Sequence, residues 1–200
     1  MADEVSERIK KLTEFLTVED SLQLVAGNLQ IKNTTIKTIG IDPGLSATGI
    51  GIVRGMGLKV EGYSYGSINT SKNISLPSRL NQIFSKLLII LKDEKPDLMV
   101  VEDIFSLQKY PKSGITLGKV TGVILLAGNQ LDLPVIEVQV REAKQILTGN
   151  GSASKMQLER AVRHFLNLTT PIKPYHASDA IGLALIGLFR YQDCLKKLKQ

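Results

Sequence analysis

Apolar and polar positions change their rhythm near residue 35. Before it, Val5, Ile9, Leu12 and Leu16 recur at helical spacing with charged residues between them. Thr17, with Asp20 three residues on, is placed to cap a second short helix through Leu22 and Val25. Gly27-Asn28 and Asn33-Thr34-Thr35 then break the pattern, so residues 1–35 are expected to form a helical appendage of unknown role, separate from a main domain at 36–200.

From residue 36 the pattern alternates between strands and helices. Residues 36–42 and 48–54 predict two strands joined by a tight turn at Asp42-Pro43-Gly44, and residues 58–66 a third, together an antiparallel meander. Pro77 is placed to open a helix, where its missing N–H costs nothing. Leu80, Ile83, Phe84, Leu87, Leu88 and Leu91 give that helix a wide apolar stripe. Lys92-Asp93-Glu94-Lys95-Pro96 ends it. The continuous run Asp97-Leu98-Met99-Val100-Val101-Glu102 then reads as a strand buried on both faces.

A helix follows over roughly 112–131, containing Gly114, Gly118, Gly122 and Gly128. Each glycine weakens a helix by about 1 kcal/mol relative to alanine, so four of them suggest the close approach of another backbone. Residues 134–138 predict a last strand, and 139–148, 154–167 and 176–198 three helices. The sum is an α/β domain: a mixed five-stranded sheet flanked by helices, an order of elements similar to that of a ribonuclease-H-like fold.

Composition adds three points. With 43% apolar and 22% charged residues, the chain is of ordinary globular composition. No apolar run reaches membrane-span length, and the N-terminus lacks a secretory pattern. Cys194 is the sole cysteine, which excludes an intramolecular disulfide and disfavours a thiolate metal site. These features suit a reducing, cytoplasmic setting. The net charge is +6, but residues 1–35 carry four basic against six acidic groups, leaving +8 on the rest. A basic domain favours a polyanionic partner, nucleic acid first.

The candidate chemistry is acidic. Asp42 ends the first strand and Glu102 the buried fourth. If those strands lie parallel and adjacent, their chains run roughly 4.8 Å apart, and both carboxylates emerge at the sheet edge where open α/β sheets place ligands. Two such groups cannot both ionise cheaply without a cation between them. His176 and Asp179, three apart, share the first turn of the last helix. Taken singly, each residue has an ordinary explanation: Asp in a turn, Glu at a strand end, Asp at a helix N-terminus, His in a surface loop. Three acidic positions from distant segments, each at the edge of a buried element, are less easily explained one by one.

Gly40-Ile41-Asp42-Pro43-Gly44, Val101-Glu102-Asp103-Ile104-Phe105 and His176-Ala177-Ser178-Asp179-Ala180 resemble the three acidic motifs of the RuvC family of Holliday junction resolvases. The likeness runs from about 37 to 191. It includes Leu76-Pro77-Ser78-Arg79-Leu80, Leu117-Gly118-Lys119-Val120-Thr121-Gly122 and Gly149-Asn150-Gly151-Ser152-Ala153-Ser154-Lys155. It departs at Tyr110-Pro111-Lys112-Ser113, where a polar Asn-containing loop would be looked for, and in residues 1–35, which the family core lacks.

The resemblance implies a structure-selective endodeoxyribonuclease that resolves four-way DNA junctions as a homodimer by paired symmetric nicks, in recombination and repair. Hydrolysis would use two Mg²⁺ ions per active site, with Mn²⁺ plausible, and leave 5′-phosphate and 3′-hydroxyl ends. Asp42, Glu102, His176 and Asp179 match its catalytic and metal-binding positions. Phe105 would be a wedge that stacks on an unpaired base. Lys144 and Lys155 would contact phosphates, with Lys109, Lys112, Lys119, Arg141 and Arg163 as candidates to extend the patch. A branch-migration helicase is an implied partner. Three alternatives remain: a junction-binding protein that does not cut, a ribonuclease H acting on hybrids, and an actin-like kinase or ATPase, whose first phosphate loop resembles Gly40–Gly44. The last needs a second domain for which the chain has no room.

Overall fold

The computed structural model describes residues 35–103 and 111–191. The expected N-terminal helices, Phe105, Lys109, Tyr110 and Cys194 lie outside the described residues. The strands are β1 (Ile36–Asp42), β2 (Ala47–Met56), β3 (Lys59–Asn69), β4 (Leu98–Asp103) and β5 (Val135–Gln139), and the helices α1 (Leu76–Glu94), α2 (Pro111–Asn129), α3 (Val140–Thr148), α4 (Lys155–Phe165) and α5 (Tyr175–Phe189).

They build one mixed sheet of order β3-β2-β1-β4-β5. The first three strands are antiparallel, and β4 runs parallel to both β1 and β5. The expected fold class is the observed one. The β2–β3 hairpin is longer than the apolar pattern indicates, because backbone pairing continues to Met56–Lys59 at one end and Ala47–Asn69 at the other. Helix α1 starts on Ser75, whose hydroxyl accepts from Ser78 N at 3.3 Å, with Pro77 in the first turn. Ser154 and Gln157 form a reciprocal capping box that starts α4 at Lys155, and Leu166 caps its other end, so the helix is shorter than the predicted 154–167. Helix α5 stops at Phe189, short of the predicted 198, of which residues 192–198 lie outside the described set.

Strand alternation sends Ile39, Ile41, Met99 and Val101 to one side of the sheet, where they pack with Ile83, Leu87 and Leu91 of α1 and Val120 and Ile124 of α2. Leu98 and Val100 face the other side, against α3, α4 and α5. Strand β4 is therefore buried on both faces, as its continuous apolar run predicts.

Helix α5 is the hub of the second layer. Every residue from Ala177 to Leu188 is buried except Asp179. It lies unusually close to β1 and β2 because glycines leave room: a Cβ on Gly40 would collide with Ala180 O, and one on Gly51 with Ile181 N. Thr38, fully buried between them, donates to Ala184 O at 2.7 Å. By contrast, side chains added at Gly114, Gly118 or Gly122 of α2 would meet nothing within 4 Å. Those glycines do not accommodate a neighbour among the described residues.

Candidate active site

Asp42 follows Gly40 by two residues and Glu102 follows Val100 by two, so both side chains project to the α5 side of the sheet. The β1–β4 register matches Ile41 with Val101, which brings the two carboxylate positions side by side at the end of the parallel pair. The short gap between β1 and α5 then brings the first turn of α5 over the same edge. A Cβ on Gly49, which pairs with Asp42, would collide with His176 O. His176 Nδ1 lies 2.7 Å from Asp42 Oδ2.

The turn after Asp42 is fixed from the side. Thr48 Oγ1 donates to Gly44 O at 2.8 Å, and Thr70 Oγ1 to Leu45 O at 2.5 Å. Arg79, in the Leu-Pro-Ser-Arg-Leu motif of α1, donates from Nε to Thr70 Oγ1 at 2.8 Å and from Nη2 to Ser46 Oγ at 3.1 Å. That motif owes its place near the site to this guanidinium, which ties α1 to the loop that follows the first acidic residue.

Asp42, Glu102, His176 and Asp179 line one cavity of about 260 Å³, together with Lys144 and Lys155. All four acidic-motif residues are thus brought together with both leading phosphate-contact candidates. The remaining wall is apolar: Val140, Ala143 and Leu147 of α3, Leu158 of α4, and Gly182 and Leu183 of α5. Sequence reasoning missed this wall, because its residues read as ordinary core positions of three separate helices.

The electrostatics follow from crowding carboxylates in a partly dry place. Burial pushes the Asp42 carboxyl above its ordinary range, against the hydrogen bond and charge of His176 and the charge of Lys155. Burial, then the charges of Asp42 and Asp179, push Glu102 up to about 7. Asp179 is raised by burial and by Asp42, with Lys155, His176 and Lys144 opposing. Each acid resists ionisation, and two lysines only partly offset this.

Such a set fits a hard divalent cation, which favours carboxylate oxygens and would relieve all three groups at once. Among the described residues, no three His, Cys, Asp or Glu side chains are gathered tightly enough to cage an ion as they stand. The four candidates instead line the cavity wall, with Asp42 held by His176.

The other basic candidates separate. Lys119 is exposed on α2, and Arg141 packs over Gly151. Arg163 is not a free surface charge: it pairs with Glu159 at 2.8 Å and donates to Thr169 O at 3.0 Å. Lys109 and the side chain of Lys112 lie outside the described residues. Among those residues, no helix is long and apolar enough to cross a membrane.

The family model described as crossover junction endodeoxyribonuclease RuvC matches residues 38–187. A crossover junction endodeoxyribonuclease RuvC of Thermosipho melanesiensis is 38% identical over 149 residues, covering 74% of this chain and 94% of that protein. Its counterpart in Carboxydothermus hydrogenoformans is 39% identical over 155 residues, covering 78% and 97%. Among solved structures, Thermus thermophilus RuvC in complex with Holliday junction substrate superimposes with a TM-score of 0.72 at 29% identity, covering 79% of this chain and 96% of that one. With the acidic motifs converging on one cavity and the match spanning the whole sheet and α5, this chain belongs to the RuvC family of crossover junction endodeoxyribonucleases.

Proposed function

We propose that this protein resolves four-way DNA junctions by metal-dependent hydrolysis of phosphodiesters at the cavity formed by β1, β4 and α5. The observation that carries the reading is the convergence of Asp42, Glu102 and Asp179 with Lys144 and Lys155 on one cavity, in a chain of this family. A junction-binding protein without cleavage would have no use for three carboxylates crowded into one partly buried cavity, where ionising them together is unfavourable.

Asp42, Glu102, Asp179 and His176 would hold the divalent ions, Mg²⁺ first and two per site, with Mn²⁺ compatible through the imidazole nitrogen. The ions supply Lewis acidity toward the scissile phosphate and its departing 3′ oxygen. The chain does the rest. Strands β1 and β4 hold two carboxylates at a fixed spacing, and His176 orients Asp42 through Nδ1. Lys144 and Lys155, which line the same cavity, bring positive charge to the phosphate backbone. Phe105 is assigned to stacking on a base at the junction.

Two nicks in equivalent strands call for two equivalent sites, so we assign a two-fold homodimer. The face of α2 carrying Gly114, Gly118 and Gly122 supports this, since none of the described residues lies against those glycines and Ile115 beside them is 63% exposed. A branch-migration helicase remains the proposed partner, and residues 1–35 remain an appendage without an assigned role. The deciding experiment is cleavage of a synthetic four-way junction in Mg²⁺, beside duplex and RNA–DNA hybrid controls. Paired symmetric nicks ending in 5′-phosphate and 3′-hydroxyl support the reading; junction binding without cleavage, or preference for the hybrid, overturns it.

A further inference from the structure

Lys155, Glu159 and Arg163 are spaced four apart, so they share one face of α4. Lys155 opens into the carboxylate cavity. Glu159, one turn on, is only 7% exposed, unusual for an acidic side chain unless something holds it. Its Oε1 accepts from Ile172 N at 3.0 Å and pairs with Arg163 Nε at 2.8 Å. Arg163 Nη1 in turn donates to Thr169 O at 3.0 Å. Two consecutive turns of α4 therefore hold the segment between α4 and α5 at two points, Thr169 and Ile172.

What lies downstream gives this clamp its interest. Ile172, itself 1% exposed, precedes the start of α5 by three residues. The first turn of α5 carries His176 and Asp179, and its N-cap is Pro174, which makes no side-chain capping hydrogen bond. Farther along, α5 is anchored to the sheet by Thr38 and by the contacts of Gly40 and Gly51 at Ala180 and Ile181, while the first turn meets the sheet where Gly49 approaches His176 O and where His176 Nδ1 reaches Asp42. The turn that bears two of the four cavity ligands lacks a side-chain cap, and among the described residues the nearest side-chain tether on the segment leading into it is the bond from Glu159 to Ile172 N.

We propose that Glu159 is a positioning residue for the cavity, setting the placement of His176 and Asp179 through Ile172, with Arg163 keeping its carboxylate in register. This rests on the metal-dependent reading above. Groups that orient ligands in this way typically change metal affinity or activity by about 10–100-fold when removed.

The test uses the full chain and three variants. Glu159→Gln keeps an acceptor for Ile172 N–H but loses the charge. Glu159→Leu loses both. Glu159→Thr is polar but too short to reach Ile172, and it stands in for the leucine variant if that one does not fold. Cleavage of a synthetic junction is measured well below each melting temperature, together with junction affinity in EDTA and the Mn²⁺ concentration giving half-maximal thermal stabilisation without DNA. The expected result for Glu159→Leu or Glu159→Thr is a fall in kcat of about tenfold or more and a rise of similar size in the Mn²⁺ midpoint, with junction affinity kept. Glu159→Gln should return within about threefold of the parent, since it restores the hydrogen bond.

A lower melting temperature with unchanged kcat and Mn²⁺ midpoint would reduce Glu159 to a structural ion pair and overturn the proposal. Equal losses in Glu159→Gln and Glu159→Leu would also overturn it, by placing the effect on the charge instead of the bond to Ile172. If the parent cut no junction, the functional reading would fail, while the Mn²⁺ midpoints would still decide the role of Glu159.

Discussion

His176 Nδ1 lies 2.7 Å from Asp42 Oδ2, joining the first turn of α5 to the last residue of β1 across 134 positions of sequence. The imidazole is half exposed while the carboxylate is almost buried. One side of Asp42 is thereby engaged, and among the described residues no other hydrogen bond takes its second oxygen. This geometry holds the carboxylate in one orientation before any ion arrives.

Replacing that carboxylate separates binding from cutting. Asp42→Asn keeps a side chain of the same shape and loses the negative charge. We expect junction affinity to be retained and cleavage in Mg²⁺ to fall by at least about 100-fold, an effect of the size seen when one preorganised electrostatic group is lost. Its melting temperature should rise slightly, because a buried charge among like charges has been removed. Single-turnover cleavage beside a binding titration checks the first point, and a normal nicking rate would remove Asp42 from the site.

The metal-free protein should lose stability as pH rises. Burial, Asp42 and Asp179 raise Glu102 from 4.5 to about 7 in the folded state. The folded chain then binds more protons than the unfolded chain between those values, so stability is greatest below the window and falls on crossing it. For Glu102 this amounts to at most roughly 3 kcal/mol. Thermal unfolding in EDTA at about pH 5 and about pH 7.5 should show the higher melting temperature at the lower pH. Glu102→Gln should flatten the difference, and millimolar Mg²⁺ or Mn²⁺ should restore the melting temperature at the higher pH.

The glycines make opposite predictions on the two sides of the sheet. Gly51→Ala forces a methyl onto Ile181 N, a backbone atom of a buried helix, and should destabilise by about 3 kcal/mol or more. Gly118→Ala meets nothing among the described residues, and removing a helical glycine should gain up to about 1 kcal/mol in the monomer. The same change should weaken self-association if that face meets a second copy. Denaturant titration measures the first pair of effects and sedimentation the last.

Lys144 and Lys155 border the cavity and form no ion pair among the described residues, whereas Arg163 is already engaged. Alanine at either lysine should lower junction affinity and reduce the slope of log affinity against log salt by about 1. Arg163→Ala should leave that slope unchanged, while lowering stability. A titration over a range of NaCl concentrations distinguishes them.

Much of this was legible in the chain because it depends on neighbours in sequence. The alternation in β1, the unbroken apolar run of β4 and the stripe of α1 each report local burial. Together they yield the order of elements and place Asp42 and Glu102 at strand ends. The nearly unbroken apolar run after Ala180 marks the last helix as buried. Other features belong to pairs of distant segments, and no local pattern encodes them. The parallel pairing of β1 with β4 sends both carboxylates to the α5 side, and the glycines of β1 and β2 let α5 come close enough for His176 to reach Asp42. Leu147, Leu158 and Leu183 become one cavity wall only when three helices meet. Arg79 illustrates the limit most clearly: as a residue in a sequence it is one more positive charge on a helix, and only tertiary structure places Ser46 beside it. Charge and periodicity are properties of a position and its neighbours along the chain, whereas hydrogen-bond partners and shared burial arise only when segments far apart in sequence fold onto each other.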